Sequence, residues 1–481
     1  MTSKELSFST RPGPRGSLRP LDAQRLIDFL ALRLAPSAVA GLIAYSHMNH
    51  AGEGLIVFAC MLIATQAIER GGLPLHLMPA SRVLIGVFAP VVGGLAAWLI
   101  ALAAGETYPI SQYEAIVLGA WLVLALGAWV RGQTGAGMRA RVAVIGSREF
   151  AADFAGELSA AGVKKYEVVG WVGGQGPADY RRLRWLGPLD DVRSPVISEG
   201  IDLLVCAPPE SADHGETIEN VCARVADECL DLPVRLIAAN QLYEEVFGHV
   251  PVGTIDAAWY RYIMHPRFRA SAPLSKRIFD LFFGTLIALF FLPLIAIAAV
   301  AIKLSDSGPV LYRQRRLGEY GREFEMVKLR TMGVDAEADG PRWAAADDDR
   351  VTRVGRLLRR THLDEVPQVW NVLRGDMTLV GPRPERPEMV AELEAKFPHY
   401  TRRHLVKPGI AGWAALRCGY AGSDIGTAWK LCHDLFYIKR RSVFVDTLIL
   451  AETAVETFRD AHRALRAPDE RFLMGERIHH G

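Results

Sequence analysis

The chain has 481 residues, 50% of them hydrophobic and 22% charged, a length that accommodates about three domains. Lys and Arg number 55 against 53 Asp and Glu, a formal net charge of +2, which speaks against a nucleic-acid binder acting through a global basic field. Six cysteines without a C-x-x-C pair and thirteen histidines without H-E-x-x-H speak against a structural zinc site and read as reduced thiols in a cytosol-facing protein.

The first 25 residues are polar, rich in proline and basic at Lys4, Arg11, Arg15 and Arg19, and read as a disordered cytoplasmic tail. Four apolar stretches follow, Leu26–Tyr45, Gly54–Ala67, Val83–Ala104 and Tyr113–Val130. A bilayer core needs about 20 helical residues, which the first, third and fourth approach and the short second does not. The connections Ser46–Glu53 and Gly105–Gln112 lack Lys and Arg, whereas the tail and Arg131–Arg141 are basic. The positive-inside bias then puts both ends in the cytoplasm, so residues 26–131 are expected to be a bundle of four transmembrane helices serving as an anchor.

Arg141–Gly146 reads as a buried strand, followed by a helix over Phe150–Ala161 and strands over Tyr166–Val172 and Asp202–Ala207. This alternation predicts a small Rossmann-like α/β module over residues 138–262. The turn Gly146-Ser147-Arg148-Glu149 lacks the further glycines of G-x-G-x-x-G, so a structural or regulatory module is favoured over a working cofactor site.

Lys276-Arg277 opens an apolar run, Ile278–Ile302, closed by Lys303 and carrying Pro293 in its middle. About 37 Å of helix would allow a span. Both flanks are basic, however, and proline kinks a helix. A re-entrant membrane helix over 278–302, entering and leaving by one face, satisfies both features.

Beyond residue 303 the chain is dense in Arg, Asp and Gly. Tyr312–Gly318 contains Gln314 and Arg316, and Met326–Met332 contains Lys328 and Arg330. Arg353, Arg356, Arg359 and Arg360 precede Thr361-His362-Leu363-Asp364-Glu365-Val366-Pro367-Gln368. Then come Asn371, Gly375-Asp376-Met377 and Val380-Gly381-Pro382-Arg383-Pro384. Guanidinium groups around a carboxylate pair suit a phosphate ester and a divalent cation, with Asp364 and Glu365 as metal ligands. Adjacent helical carboxylates point about 100° apart, so one can attack phosphorus while the other holds a metal or handles a proton. Thr361-x-x-Asp364 also fits a helix capping box, with Pro367 in a first turn.

With these blocks in order, residues 274–455 resemble the bacterial polyprenyl-phosphate hexose-1-phosphate transferases, the monotopic phosphoglycosyl transferases that initiate exopolysaccharide and O-antigen synthesis. Further matching pieces are Lys276–Asp280, Gly308–Val310, Lys328–Met332, Lys407–Ile410 with Gly412-Trp413, and Asp434–Ile438. Four spans ahead of a Rossmann-like module resemble the large subgroup. The resemblance implies an α-helix-rich catalytic domain over 274–481, on the cytoplasmic face of the bacterial inner membrane. It implies attack by Asp364 on the sugar-bearing phosphate of a UDP-sugar, release of UMP, and transfer to polyprenyl phosphate, with Glu365 and Mg²⁺ in support. Gln314, Arg316, Lys328, Arg330, Arg359, Pro382, Arg383 and Pro384 are the expected substrate-binding residues; Lys276, Arg277 and Pro293 are structural. The bilayer and a second copy of the chain are expected partners, nucleic acid is not. The chain departs from the family at Leu292, where many members carry Ser, and at Ala415 and Arg417, which leaves the sugar open. Val445–Phe458 is apolar enough to lie along a bilayer or to pack on its own domain.

Two other readings compete. A membrane-anchored nucleotide-sugar dehydratase or epimerase needs a Tyr-x-x-x-Lys pair, and no Tyr here has Lys four positions on. A non-catalytic scaffold for polysaccharide assembly would be expected to show a decayed dyad, and this one is intact.

Overall fold

The computed structural model describes residues 34–48, 139–173, 183–207, 218–252, 274–305, 307–334, 348–397, 399–418 and 424–459. Single positions and short pieces between 57 and 126, and residues 255 and 336, are also described. Described residues up to Ala238 fall in one compact unit and those from Ala239 onward in a second.

In the first unit, helix α1 (Ala35–Met48) covers the end of the first apolar stretch. Ala40, Ala44, Val57, Ala97, Ile116 and Ala120 form one buried cluster, drawing residues from all four predicted stretches. Mostly small side chains at the contact let helix backbones approach closely. The rest of those stretches, like the tail, lies outside the described residues.

A parallel sheet follows: β1 (Ala140–Ile145), β2 (Tyr166–Val172), β3 (Arg184–Gly187), β4 (Leu203–Cys206) and β5 (Arg235–Ala238), in the order β3-β2-β1-β4-β5. β1 and β4 are apolar and almost wholly buried, as strands covered on both faces must be. Helices α2 (Arg148–Ala160), α3 (Arg193–Ser198) and α4 (Ile218–Cys229) alternate with them. Ser147 caps α2 by accepting from the Phe150 amide. The described cysteines are all free thiols.

The second unit opens with α5 (Ala239–Phe247), so the last part of segment 138–262 lies with it rather than with the sheet. Helix α6 (Leu274–Ser305) is longer at both ends than the apolar run in the sequence and continues through Pro293 without interruption. Losing one hydrogen bond to proline does not end a helix of 32 residues. Its apolar side chains stand exposed, Phe290 and Ile297 by 72% and 66%, an arrangement that soluble surfaces avoid.

An antiparallel hairpin, β6 (Leu311–Leu317) and β7 (Glu323–Leu329), precedes α7 (Arg353–Arg360), a 3₁₀ turn over Leu363–Gln368, and α8 (Val369–Arg374). Strand β8 (Thr378–Val380), helix α9 (Pro387–Lys396) and a 3₁₀ turn over Tyr400–Leu405 come next. Strand β9 (Gly409–Ala411) pairs parallel with β8, and α10 (Trp413–Cys418), α11 (Asp424–Arg440) and α12 (Val443–Arg459) complete the unit. The core gathers Val372, Met377, Val380, Trp413, Leu435, Phe436, Val445 and Ile449. Val445, Leu448 and Ile449 of α12 are buried there, which decides between the two readings of that stretch in favour of packing on the domain.

Candidate active site

Strand periodicity places the first groups. Tyr312 pairs with Lys328, Gln314 with Met326 and Arg316 with Phe324, so Gln314, Arg316 and Lys328 share one face of the ribbon. Arg313 and Arg315 project from the other face, towards Glu325 and Glu323. Asn371 ties this hairpin to α8: its Nδ2 donates to the Glu325 carbonyl over 2.6 Å and its Oδ1 accepts from the Val327 amide over 3.1 Å.

The acidic pair sits on the 3₁₀ turn Leu363–Gln368, which His362 enters in the left-handed region (φ 53°). Thr361 does not cap this turn. Its hydroxyl donates back to the Leu357 and Leu358 carbonyls at the end of α7, and Thr352 caps α7 instead through the Gly355 amide. The capping-box reading fails because αL backbone at His362 intervenes between the two helical segments. With about three residues per turn, neighbouring side chains diverge by about 120°, and the two carboxylates meet different surroundings.

Glu365 accepts from Lys328 Nζ at 3.0 Å and from Arg383 Nη2 at 2.6 Å and Nη1 at 3.3 Å. Asp364, 8% exposed, accepts no hydrogen bond among the described residues. Burial disfavours the Glu365 charge, but Arg383 and Lys328 outweigh it and hold this carboxyl well below the usual range. Asp364 moves the other way. Burial first and the Glu365 charge second push it up, against Lys328, Arg359 and His362. Burial also lowers Lys328, with Arg383 adding and Glu365 opposing, and brings Arg316 down to about 10.

Arg383 lies on the irregular segment between β8 and α9. Gly381 and Gly409 pass so close that a Cβ on either would meet the other's strand or its neighbouring carbonyl, a reason for glycine at both positions. Gly409 donates to the Pro382 carbonyl over 2.9 Å, Arg316 Nη1 to the Pro384 carbonyl over 3.1 Å. Arg359 Nε donates to Thr331 Oγ1 over 3.0 Å. Gly355 leaves room for the Thr331 carbonyl against α7.

These groups line a cleft of about 880 Å³, with Asp364, Glu365, Gln314, Arg316, Lys328, Arg330, Arg359, Arg383 and Pro384 among its walls. Pro382 is not among them and serves the backbone pairing just described. Lys276 and Arg277 lie away from the cleft: Lys276 pairs with Asp446 and lies 3.4 Å from Asp280, and Arg277 donates to the Val372 and Leu373 carbonyls, both over 2.7 Å. Pro293 is inside α6. Sequence reasoning singled out neither Arg403 nor Glu385, both of which line the cleft; an isolated Arg or Glu carries no local signal of a role. Among the described residues no three His, Cys, Asp or Glu side chains gather as a metal site. A Mg²⁺ ion characteristically uses one or two carboxylates and completes its shell with substrate phosphates and water. The dyad fits that use, with Asp364 as the oxygen donor not already engaged.

The family model described as bacterial sugar transferase matches residues 271–460. The chain is 43% identical over 178 residues to the UDP-N-acetylgalactosamine-undecaprenyl-phosphate N-acetylgalactosaminephosphotransferase of Aeromonas hydrophila, covering 37% of this chain and 42% of that protein. It is 42% identical over 192 residues to the UDP-glucose:undecaprenyl-phosphate glucose-1-phosphate transferase of Caulobacter vibrioides, 39% of this chain and 71% of the relative. A match to the undecaprenyl-phosphate glucose phosphotransferase of Komagataeibacter xylinus, 33% identical over 319 residues, covers 64% of this chain and 57% of that one. The chain thus spans less than half of the first relative's length and about three fifths of the third's.

Proposed function

The chain belongs to the bacterial sugar transferase family, and on that premise we propose that it transfers a hexose 1-phosphate from a UDP-sugar to polyprenyl phosphate, releasing UMP. The observation that carries this reading is the asymmetry of the dyad: one carboxylate is neutralised by two cations and the other is left without a partner at the cleft.

A carboxylate oxygen of Asp364 attacks the sugar-bearing phosphorus of the donor. A new O–P bond forms and the bridging P–O bond breaks, its electron pair leaving on UMP. Lys328, Arg359 and Arg383 neutralise charge on the phosphates as the bond breaks, the form that catalysis of phosphoryl transfer takes. A phosphate oxygen of the polyprenyl acceptor then attacks the same phosphorus, expelling the Asp364 carboxylate and giving a polyprenyl diphosphate sugar. Glu365 keeps Lys328 and Arg383 oriented. Asp364 and Glu365 would hold Mg²⁺, which would supply further charge neutralisation.

The membrane part of the proposal rests on α6. Near its start, Asp280 accepts from Thr378 and Leu379; near its end, Ala298 and Ile302 pack with Leu329 and Leu358. Two ends seated on one folded unit favour a helix that enters and leaves the bilayer by one face. We further read the first unit as a four-helix anchor with a Rossmann-like module, since its sheet has the strand order of a doubly wound fold. On this reading the catalytic part faces the cytoplasm of the bacterial inner membrane, and a second copy of the chain is a partner.

The test is product analysis. Full-length protein supplied with undecaprenyl phosphate and UDP-glucose or UDP-N-acetylgalactosamine is expected to release UMP in a Mg²⁺-dependent way. Asp364→Asn is expected to abolish release while folding normally, and mass spectrometry with donor alone to find a phosphosugar on the peptide holding Asp364. UDP as the nucleotide product would overturn the proposal.

A further inference from the structure

The segment Gly381–Arg386 has no regular secondary structure, and two of its residues, Pro382 and Pro384, have no N–H to donate. Yet it must hold Arg383, whose side chain stays half accessible and carries about 2 kcal/mol of rotamer entropy. What steadies it lies underneath. Arg403, 4% exposed, sends Nη2 to the Arg383 carbonyl over 3.0 Å. The rest of its guanidinium is engaged too: Nε and Nη2 reach Asp434 Oδ2 at 3.1 and 2.7 Å, and Nη1 reaches Glu385 Oε1 at 3.2 Å and the Tyr400 hydroxyl at 2.8 Å. Asp434 is itself 2% exposed.

A buried charge is tolerated only when it is paired and its donors are used, and here every nitrogen of Arg403 has an acceptor. Two of those acceptors, the Arg383 carbonyl and the Glu385 carboxylate, belong to the segment that carries Arg383; Asp434 comes from α11. The guanidinium therefore bolts the segment to the helix core, at the residue whose own side chain reaches Glu365. Lysine would not replace it, because a single ammonium lacks the planar fork that spans these four acceptors.

We propose that Arg403, held by Asp434, is a positioning residue that fixes the Arg383 backbone and thereby keeps the Arg383 guanidinium on Glu365. The inference rests on the transferase reading for its kinetic readout, and its logic is that Arg403 acts only through Arg383. Without that contact Glu365 loses its strongest cation. Glu365 then keeps only Lys328, and the Arg383 guanidinium no longer stands fixed in the cleft.

The experiment is a double-mutant cycle on the full chain with undecaprenyl phosphate and UDP-glucose or UDP-N-acetylgalactosamine, whichever the wild type uses. Arg403→Lys is expected to lower kcat/KM by about tenfold or more, with the loss in kcat rather than KM, as Arg383→Ala does. In the Arg383→Ala background, Arg403→Lys is expected to change neither constant further. Additive losses, or a loss confined to KM, overturn the proposal. Should Arg403→Lys fail to fold, Asp434→Asn enters the same cycle with the same expectations. A wild type inactive with both donors counts against the transferase reading alone. The inference is then decided by hydrogen exchange at the amides of Gly381, Arg383, Glu385 and Arg386, faster in Arg403→Lys if it holds and unchanged if it fails.

Discussion

Arg383 donates to Glu365 over 2.6 Å, and that pair gives two carboxylates adjacent in sequence opposite electrostatic characters. Glu365 stays ionised against its burial, because Arg383 and Lys328 attract its charge. Asp364, one residue earlier, feels burial and the Glu365 charge, and is raised. A carboxylate with a raised pKa and no hydrogen-bond partner is a stronger nucleophile than one shared between two cations.

Glu365→Gln is expected to lower kcat by about 100-fold or more and to move the acid limb of kcat/KM to lower pH. The neutral amide removes the negative neighbour that raises Asp364 and frees Lys328 and Arg383 to act on it. The Asp364 carboxyl then falls, and activity persists to a lower pH before protonation stops it. A pH–rate series on wild type and variant checks this; an acid limb that stays in place would mean Asp364 is not the group that sets it.

Lys276→Met is expected to destabilise the second unit by about 3–5 kcal/mol. The Lys276 ammonium pairs with Asp446, 1% exposed, and lies 3.4 Å from Asp280; without it both buried carboxylates lose the ammonium they share. Burial raises Asp446, and Lys276 partly offsets it. A raised carboxyl favours the folded state at low pH and loses that advantage as pH rises through its folded value. The deficit is therefore expected to shrink on acidification, read from unfolding midpoints of both proteins across pH.

Trp413→Phe is expected to lower stability by about 1–3 kcal/mol. The indole Nε1 donates to the Gly248 carbonyl over 2.6 Å, inside the core, and phenylalanine keeps the ring while leaving that carbonyl unpaired. Denaturant midpoints measure the loss, and a midpoint equal to wild type would count against it.

His362→Gly and His362→Val are expected to diverge. Both lose the imidazole, so their difference reports the backbone. Glycine adopts φ 53° freely, whereas a β-branched residue there costs about 1–3 kcal/mol. The valine variant should melt lower and lose more activity than the glycine variant, since the strained turn carries Asp364. Equal melting temperatures would remove the argument from backbone conformation.

Much of this molecule was legible from the order of its residues because the relevant physics is local. The hairpin that puts Gln314, Arg316 and Lys328 on one face is an exception, because Tyr312–Leu317 carries no apolar–polar alternation from which a strand could be read. Short apolar runs announce β1 and β4, the first ending at Gly146. The long, mainly apolar stretch after Lys276-Arg277 announces α6, though not its full length.

Relations between distant residues were decided only by the folded chain. Nothing in Asp364-Glu365 says which carboxylate is neutralised; that depends on Lys328, 37 positions away, and Arg383, 18 away. Thr361 looks like a cap in one dimension, and the left-handed backbone at His362 prevents it. Arg403 reads as one arginine among many until Asp434, Glu385 and the Arg383 carbonyl converge on it. The apolar face of α12 could have faced lipid or core, and burial of Val445 and Ile449 placed it inside. Periodicity is a property of neighbours along a chain, so the sequence carries it alone. Charge pairing, desolvation and burial are properties of neighbours in space, and they exist only once the chain has closed around them.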